Sequence, residues 1–402
     1  NTLVELIAHP YEFTITPASE PGPDCYDIIH AWCLDRDSNP VLIKINDFPS
    51  YCWIELPETM RNNSFYWSQS DAREVFNVIS NKAKEHAPLN FFLKYTQKAY
   101  YFKMCKLFPM ILVQFSQEAS MRRVVSMLVD TKTGQSKPLW TDRFGTLELK
   151  VWENDVGTIR KFLSTRNIRY CQWFSIIGKE PDPDEKTSRL KREYIGDRRT
   201  MKPIDDEICK SWITFPLFLA FDIETYSDNP NAMPKKYNFH HVVYMISILV
   251  KRLGKPGVTR YALILGDCCP IQGSVICNYN TELELIRGFE EKIIEIDTDI
   301  VSGYIIIGDD YPYLDARLKR CLEEWGSVGR LLNTPSSMYT KTWESRAYGI
   351  QSISMLTMPG RISVDLLPII QRDYKLDMYT LDFVSKKFIG KGKHPIKAKE
   401  MF

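Results

Sequence analysis

The chain has 402 residues, 44% hydrophobic and 25% charged, which is enough to bury large cores and excludes a disordered tail. At roughly 100–200 residues per domain, two or three domains are expected. The formal net charge of +2 announces no polyanion partner, so any grip on nucleic acid must come from local patches.

The ten cysteines are too sparse for a disulfide scaffold, no Cys-x-x-Cys occurs, and adjacent Cys268 and Cys269 make poor metal geometry. Reduced, mostly buried thiols in an intracellular, reducing compartment are expected. The longest apolar runs, Phe215–Phe221 and Val242–Val250, are strand-sized and fall short of the ~20 residues of a membrane helix. No basic-then-apolar leader opens the chain, so neither secretion nor a membrane partner is expected.

The first hundred residues read as β-rich. Leu3–Ile15, Tyr26–Leu34, Pro40–Ile45 and Tyr51–Leu56 are aromatic and β-branched runs separated by turn residues, and Ser68–His86 carries a helical period. From Phe108 strands and helices alternate: Met110–Phe115, Gln117–Val129, Leu147–Trp152, Val156–Thr165 and Gln172–Ile177. This pattern predicts a small α/β plait, a scaffold that can also bind RNA. The polar segment Glu180–Lys202 reads as a linker, either solvated or touching phosphate through Lys186, Arg189, Lys191, Arg192, Arg198 and Arg199. The expected division is therefore 1–107, 108–180, a linker over 181–210, and 211–402.

After Ser211 the run Phe215–Asp222 predicts a strand buried on both faces. Val242–Val250, Arg260–Gly266, Asp299–Ile307 and Ile362–Leu367 read as further strands. Thr281–Ile294, Pro312–Trp325 and Leu381–Ile389 read as helices, and together they predict an α/β sheet between helices. In Asp222-Ile223-Glu224, residues i and i+2 share one face of a strand, so two carboxylates converge. Such convergence is costly unless neutralised, and a divalent metal is the usual answer. Taken alone, the tripeptide also reads as a strand ending in solvated acids. No His or Cys clusters near these acids, which argues against zinc; His240 and His241 read as solvent-facing or capping groups.

A second apolar strand ends in Asp309-Asp310-Tyr311-Pro312-Tyr313-Leu314, and a third block runs from Gly360 through Asp365 to Ser385. In this order and spacing the blocks resemble those of family B DNA polymerases. Phe221-Asp222-Ile223-Glu224 resembles their first exonuclease motif, and Gly303–Leu314 resembles the second, Gly-Tyr-Asn-Ile-x-x-Phe-Asp-x-Pro-Tyr-Leu. Asp365–Ser385 resembles the stretch leading to the third. The upstream region is similar to the family's amino-terminal domain, with a general look closest to the enzymes of large cytoplasmic DNA viruses. The resemblance implies a ribonuclease-H-like 3′–5′ exonuclease domain in which Asp222, Glu224 and Asp310 hold Mg²⁺ or Mn²⁺ as a two-metal site. Two metals about 4 Å apart would activate water and stabilise the leaving oxygen.

The resemblance further implies DNA as partner: a frayed single-stranded primer 3′ end in the cleft, with Tyr311 or Tyr313 stacking its bases, and a primer–template duplex, deoxynucleotides and a processivity factor for the full-length parent. Location would be the host cytoplasm for a viral enzyme and the nucleus otherwise.

Two positions depart from the pattern. Ile305 stands for Asn and Asp309 for Phe, and Asp309 would bring negative charge, or an extra metal ligand, near the scissile phosphate. The family's fourth carboxylate and its water-orienting Tyr belong to a Tyr-x-x-x-Asp helix that the chain is expected to stop short of, along with the polymerase domain, leaving the metal site incomplete. Asp365, Asp373 and Asp382 are possible substitutes, with capping or packing expected for Asp365. The tail carries Lys386, Lys387, Lys391, Lys393, Lys397 and Lys399 against Glu400 alone from Phe383 onward, a patch suited to phosphate. Two other readings stay open: a weak or inactive DNA-binding module on a nuclease fold, and a stand-alone nuclease acting on RNA.

Overall fold

The computed structural model describes residues 2–58, 66–99, 102–229, 231–345, 349–394, 396 and 400. They divide into two compact units, residues 1–36, 41–185 and 192–212, and residues 37–40, 186–191 and 213–402.

The first unit holds two main sheets. One runs Leu3–Thr16, Ile28–Leu34, Pro40–Ile45, Glu193–Gly196, Phe174–Lys179 and Lys202–Pro203. Leu3–Thr16 also pairs antiparallel with Phe174–Lys179, Leu6 opposite Ile176, which closes five strands into a ring around Phe13, Ile29, Ile43 and Phe174. Glu193–Gly196, inside the segment expected as linker, is thus a strand, and its Glu193 pairs with Lys44 at 2.8 Å in the interior. The other sheet orders Asn90–Thr96, Phe108–Phe115, Ser50–Glu55 and Lys150–Trp152, drawing strands from both sides of residue 107. Helices Gln69–Ala83 and Glu118–Leu128 contribute Val75, Ile79, Val124 and Leu128 to the core shared with this sheet's Ile54 and Ile111. The strand expected over Leu147–Trp152 is split: Gly145–Glu148 pairs with Pro138–Thr141, and Lys150–Trp152 pairs with Ser50–Glu55. Two different partners require the break.

The second unit is built on a six-stranded sheet ordered Val275–Tyr279, Thr259–Leu265, Val243–Arg252, Leu217–Thr225, Ile300–Gly303 and Ile362–Asp365. Leu217–Thr225 is antiparallel to Val243–Arg252 and parallel to Ile300–Gly303 as far as Ala220. It buries one face, through Leu219 and Phe221, and leaves the other half-buried, where burial on both faces was expected. Helix Glu282–Ile296 opens with a capping box between Thr281 and Glu284 and buries Leu285, Ile286, Phe289 and Ile293 in the core. Helix Asp310–Arg320 buries Leu314 and Leu318 there, with Pro312 in its first turn, where a missing N–H costs nothing.

Several boundaries differ from expectation. The strand expected over Asp299–Ile307 ends at Gly303, and the helix expected over Pro312–Trp325 spans Asp310–Arg320. The strand expected to reach Leu367 stops at Asp365, which caps a helix Leu366–Asp373 by accepting from the Leu367 N–H. A hairpin of Met338–Ser345 and Gly349–Leu356 was not expected at all. Of the ten free cysteines only Cys33, Cys52 and Cys209 are buried, while Cys25, Cys105, Cys171, Cys268, Cys269 and Cys321 are exposed, contrary to the expectation of mostly buried thiols. Among the described residues no helix is long and apolar enough to cross a membrane.

Candidate active site

Ile300–Gly303 pairs with Leu217–Thr225 only as far as Ala220, opposite Ser302. Beyond that point the strand edge is open, and the chain after Gly303 turns back to start helix Asp310–Arg320. The helix start lies against that edge: the Ile223 N–H donates to Asp310 Oδ1 at 3.1 Å. Asp222 and Glu224, flanking Ile223, project with Asp309, Asp310 and Tyr313 into one cavity of about 840 Å³, walled further by Met233, Lys235, Tyr304 and Lys393.

The turn that places Asp310 is held from below by Asp365. Its two carboxylate oxygens accept from the Ile305 and Ile307 N–H groups, each at 3.0 Å, and from Leu367 at 2.9 Å. Asp365 is thus a buried structural acceptor, as the capping expectation has it, while Asp373 and Asp382 pair outward with Arg372 and Lys386. Within this turn Ile305 has φ +68°, in the left-handed region where a β-branched side chain crowds the backbone and Asn is tolerated. The Asn of the resembled pattern would meet less crowding at this backbone. Ile305→Asn is expected to raise stability by about 1 kcal/mol, read as a higher urea midpoint; a lower one would mean that the Ile305 side chain packs better than the strain costs.

The acids repel one another. Burial, then the charge of Asp222, raise the Asp310 carboxyl to about 7. Asp222 is raised by its protein surroundings, with the Lys393 charge opposing, and Glu224 is raised by burial and then by Asp222. Asp309, exposed at the mouth, adds to the pressure on Asp310. Among the described residues no three Asp, Glu, His or Cys side chains converge into a ready-made metal group. The donor set nevertheless fits a hard divalent cation: three carboxylates line one cavity, and the Lys393 charge beside them leaves their pKa values raised.

Of the residues expected here, Asp222, Glu224, Asp309, Asp310 and Tyr313 share the cavity. Tyr311 does not. It is fully buried, its ring 5.3 Å from that of Phe221 and its hydroxyl 3.1 Å from Ser363, so it packs the helix onto the sheet and cannot stack a base. The Tyr313 hydroxyl donates to the His241 carbonyl at 2.8 Å. His240 is exposed, whereas His241 is buried and accepts from the Lys235 N–H at 2.7 Å while its other nitrogen lies 2.7 Å from Asp228. It pins the loop after the first acidic motif. Tyr304, donating to the Tyr379 carbonyl, was not singled out, although it follows Gly303 in the second block. Lys393 is held beside the cavity by its N–H donating to Asp382 Oδ1 at 2.8 Å; Lys397 and Lys399 lie outside the described residues.

Comparison with known proteins gives this geometry a family. Residues 149–384 match the family model "DNA polymerase family B, exonuclease domain". DNA polymerase 120R of Invertebrate iridescent virus 3 is 28% identical over 403 residues, covering 93% of this chain and 34% of that protein. Putative DNA polymerase 060R of Frog virus 3 is 32% identical over 256 residues, 61% of this chain and 24% of that one. The DNA polymerase delta catalytic subunit of Glycine max is 34% identical over 180 residues, 44% of this chain and 16% of that one. The structure of the family B DNA polymerase from Pyrobaculum calidifontis superposes with a TM-score of 0.60 at 17% identity, over 95% of this chain and 39% of that one. The chain spans about a third of the length of the viral relative it matches along most of its own. With a mixed α/β sheet of the ribonuclease-H-like kind and a family model matched over more than half its residues, the chain belongs to the family B DNA polymerases and carries their exonuclease domain.

Proposed function

We propose that this chain is the amino-terminal and 3′–5′ proofreading region of a replicative DNA polymerase, excising mispaired nucleotides from a primer 3′ end. The observation that supports it most is the grouping of Asp222, Glu224 and Asp310 on one cavity at the open edge of the sheet, with raised pKa values. In this reading Asp222 and Glu224 from the strand and Asp310 from the helix start hold Mg²⁺ or Mn²⁺. When bound, the divalent ions would supply an activated water and stabilise charge on the leaving oxygen. The Ile223 N–H orients Asp310, and Tyr313, fixed through its hydroxyl, lines the cavity where it would stack on the terminal base. Selection between paired and mispaired ends would come from fraying, since only a single strand enters such a cleft. The parent enzyme would take deoxynucleotides, a primer–template duplex and a processivity factor. Ten free thiols suit a reducing compartment, the host cytoplasm for a viral enzyme.

The experiment is cleavage of single-stranded DNA by the chain with Mn²⁺, against Asp222→Ala and Asp310→Ala. Each substitution is expected to lower the rate by about a thousandfold or more. Equal rates would place the chemistry elsewhere. One observation favours a weak or inactive DNA-binding module instead, namely Asp309 on the same cavity, where its charge adds to that of the other acids and opposes an incoming phosphate. Calorimetry with Mn²⁺ addresses it: one site at most is expected tighter than about millimolar, and binding without any cleavage would favour the module.

A further inference from the structure

We propose that loop 233–239 and the exposed flank of helix Asp310–Arg320 form a second site that holds single-stranded DNA behind the end seated in the acidic cavity, an inference that rests on the excision reading above. A separate cavity of about 530 Å³ lies along this helix, lined by Lys236, Tyr237, Lys319 and Arg320 and by Thr340 and Ser354 of the hairpin, whose hydroxyls bond each other at 3.0 Å. Lys236 and Tyr237 line both cavities, so the two lie side by side.

The chemistry is that of a single-strand track. Tyr237 is 74% exposed and Phe239 66%, and each carries a cation over its ring: Lys236 at 5.5 Å from Tyr237 and Arg320 at 4.9 Å from Phe239. Aromatic faces accept bases of any sequence, and the neighbouring cations accept phosphate. The lining includes one acid, Asp315, paired with Lys319 at 2.7 Å, so the cavity keeps a positive excess.

The exposed rings stand on a rigid base, which an idle surface loop does not need. Buried Arg317 donates to the carbonyls of Lys236, Asn238 and Phe239 and is clamped by both oxygens of Glu282 at 2.8 and 2.7 Å. His241 ties the same loop at Lys235 and Asp228. Exposed apolar rings are thereby presented instead of collapsing onto the core. From Asp310 to Lys319 the helix rises about 14 Å, within about four nucleotides of stacked strand.

The test uses the full chain with Mn²⁺ and oligothymidylates of about three and about ten nucleotides, their 3′ linkages blocked by phosphorothioate, read by fluorescence anisotropy at several salt concentrations. The variant is Lys319→Ala with Phe239→Ser, neither of which lines the acidic cavity, checked for an unchanged melting temperature. The longer strand is expected to bind roughly tenfold more weakly with a shallower salt slope, and the short one to bind as in wild type. Should the variant fail to fold, Lys319→Ala alone must still lower the slope for the longer strand. Equal binding of the longer strand by wild type and variant would overturn the proposal, and so would equal weakening of both lengths. Cleavage of unblocked strands is read separately: groove-dependent binding without cleavage would uphold this site and sink excision.

Discussion

Asp310→Asn is expected to make the metal-free chain more stable near pH 8, by on the order of 3–4 kcal/mol, and to change nothing below the ordinary carboxyl range. Asp310 is buried, and burial together with Asp222 raises its carboxyl from 3.8 to about 7. A raised acid favours the fold while it is protonated, so its contribution is complete below 3.8 and is lost as pH rises through about 7. Asn is neutral at every pH, and its Oδ1 can still accept from the Ile223 N–H as Asp310 does. The gain should therefore grow between pH 4 and 7, which urea melts in chelator at several pH values would show. A variant no more stable than wild type near pH 8 would mean that Asp310 has charge compensation in the folded chain. Added Mn²⁺ should reverse the order, because only the wild-type carboxylate gains from it.

Asp365→Ala is expected to cost about 3–5 kcal/mol, since it strands up to three N–H donors that a carboxylate now satisfies in a buried turn. Those donors are Ile305, Ile307 and Leu367, and the last is also the cap of helix Leu366–Asp373. The loss should appear as a lower urea midpoint, with Asp365→Asn recovering part of it because one oxygen remains. It should also reduce any excision, because the same turn sets the start of helix Asp310–Arg320 and so the place of Asp310. A small effect on stability would mean that water replaces the carboxylate.

What could be read from the sequence was what neighbouring residues decide. Two acids at i and i+2 in an apolar run share a face wherever that strand packs, and Pro312-Tyr313-Leu314 marks a helix start whatever covers it. Asp365 before an apolar run reads as a cap for the same reason. What escaped depends on distant partners. Tyr311 and Tyr313 are two residues apart on one helix, so one faces the sheet and the other the cavity, and motif spacing does not say which. The left-handed backbone at Ile305 is imposed by Asp365, some sixty residues later in the chain. The ring in the first unit closes between strands more than 160 residues apart, and loop 233–239 is held by Arg317, about eighty residues further on. No local periodicity encodes those pairings.

The most direct measurement follows a 5′-labelled primer on a template, with its 3′ terminal base paired or mispaired, incubated with the chain and Mn²⁺. Excision through the acidic cavity gives a ladder shortened one nucleotide at a time from the 3′ end, faster for the mispaired terminus, and absent in Asp222→Ala. Internal cuts, equal rates on paired and mispaired ends, a preference for RNA, or a ladder that survives Asp222→Ala would contradict it.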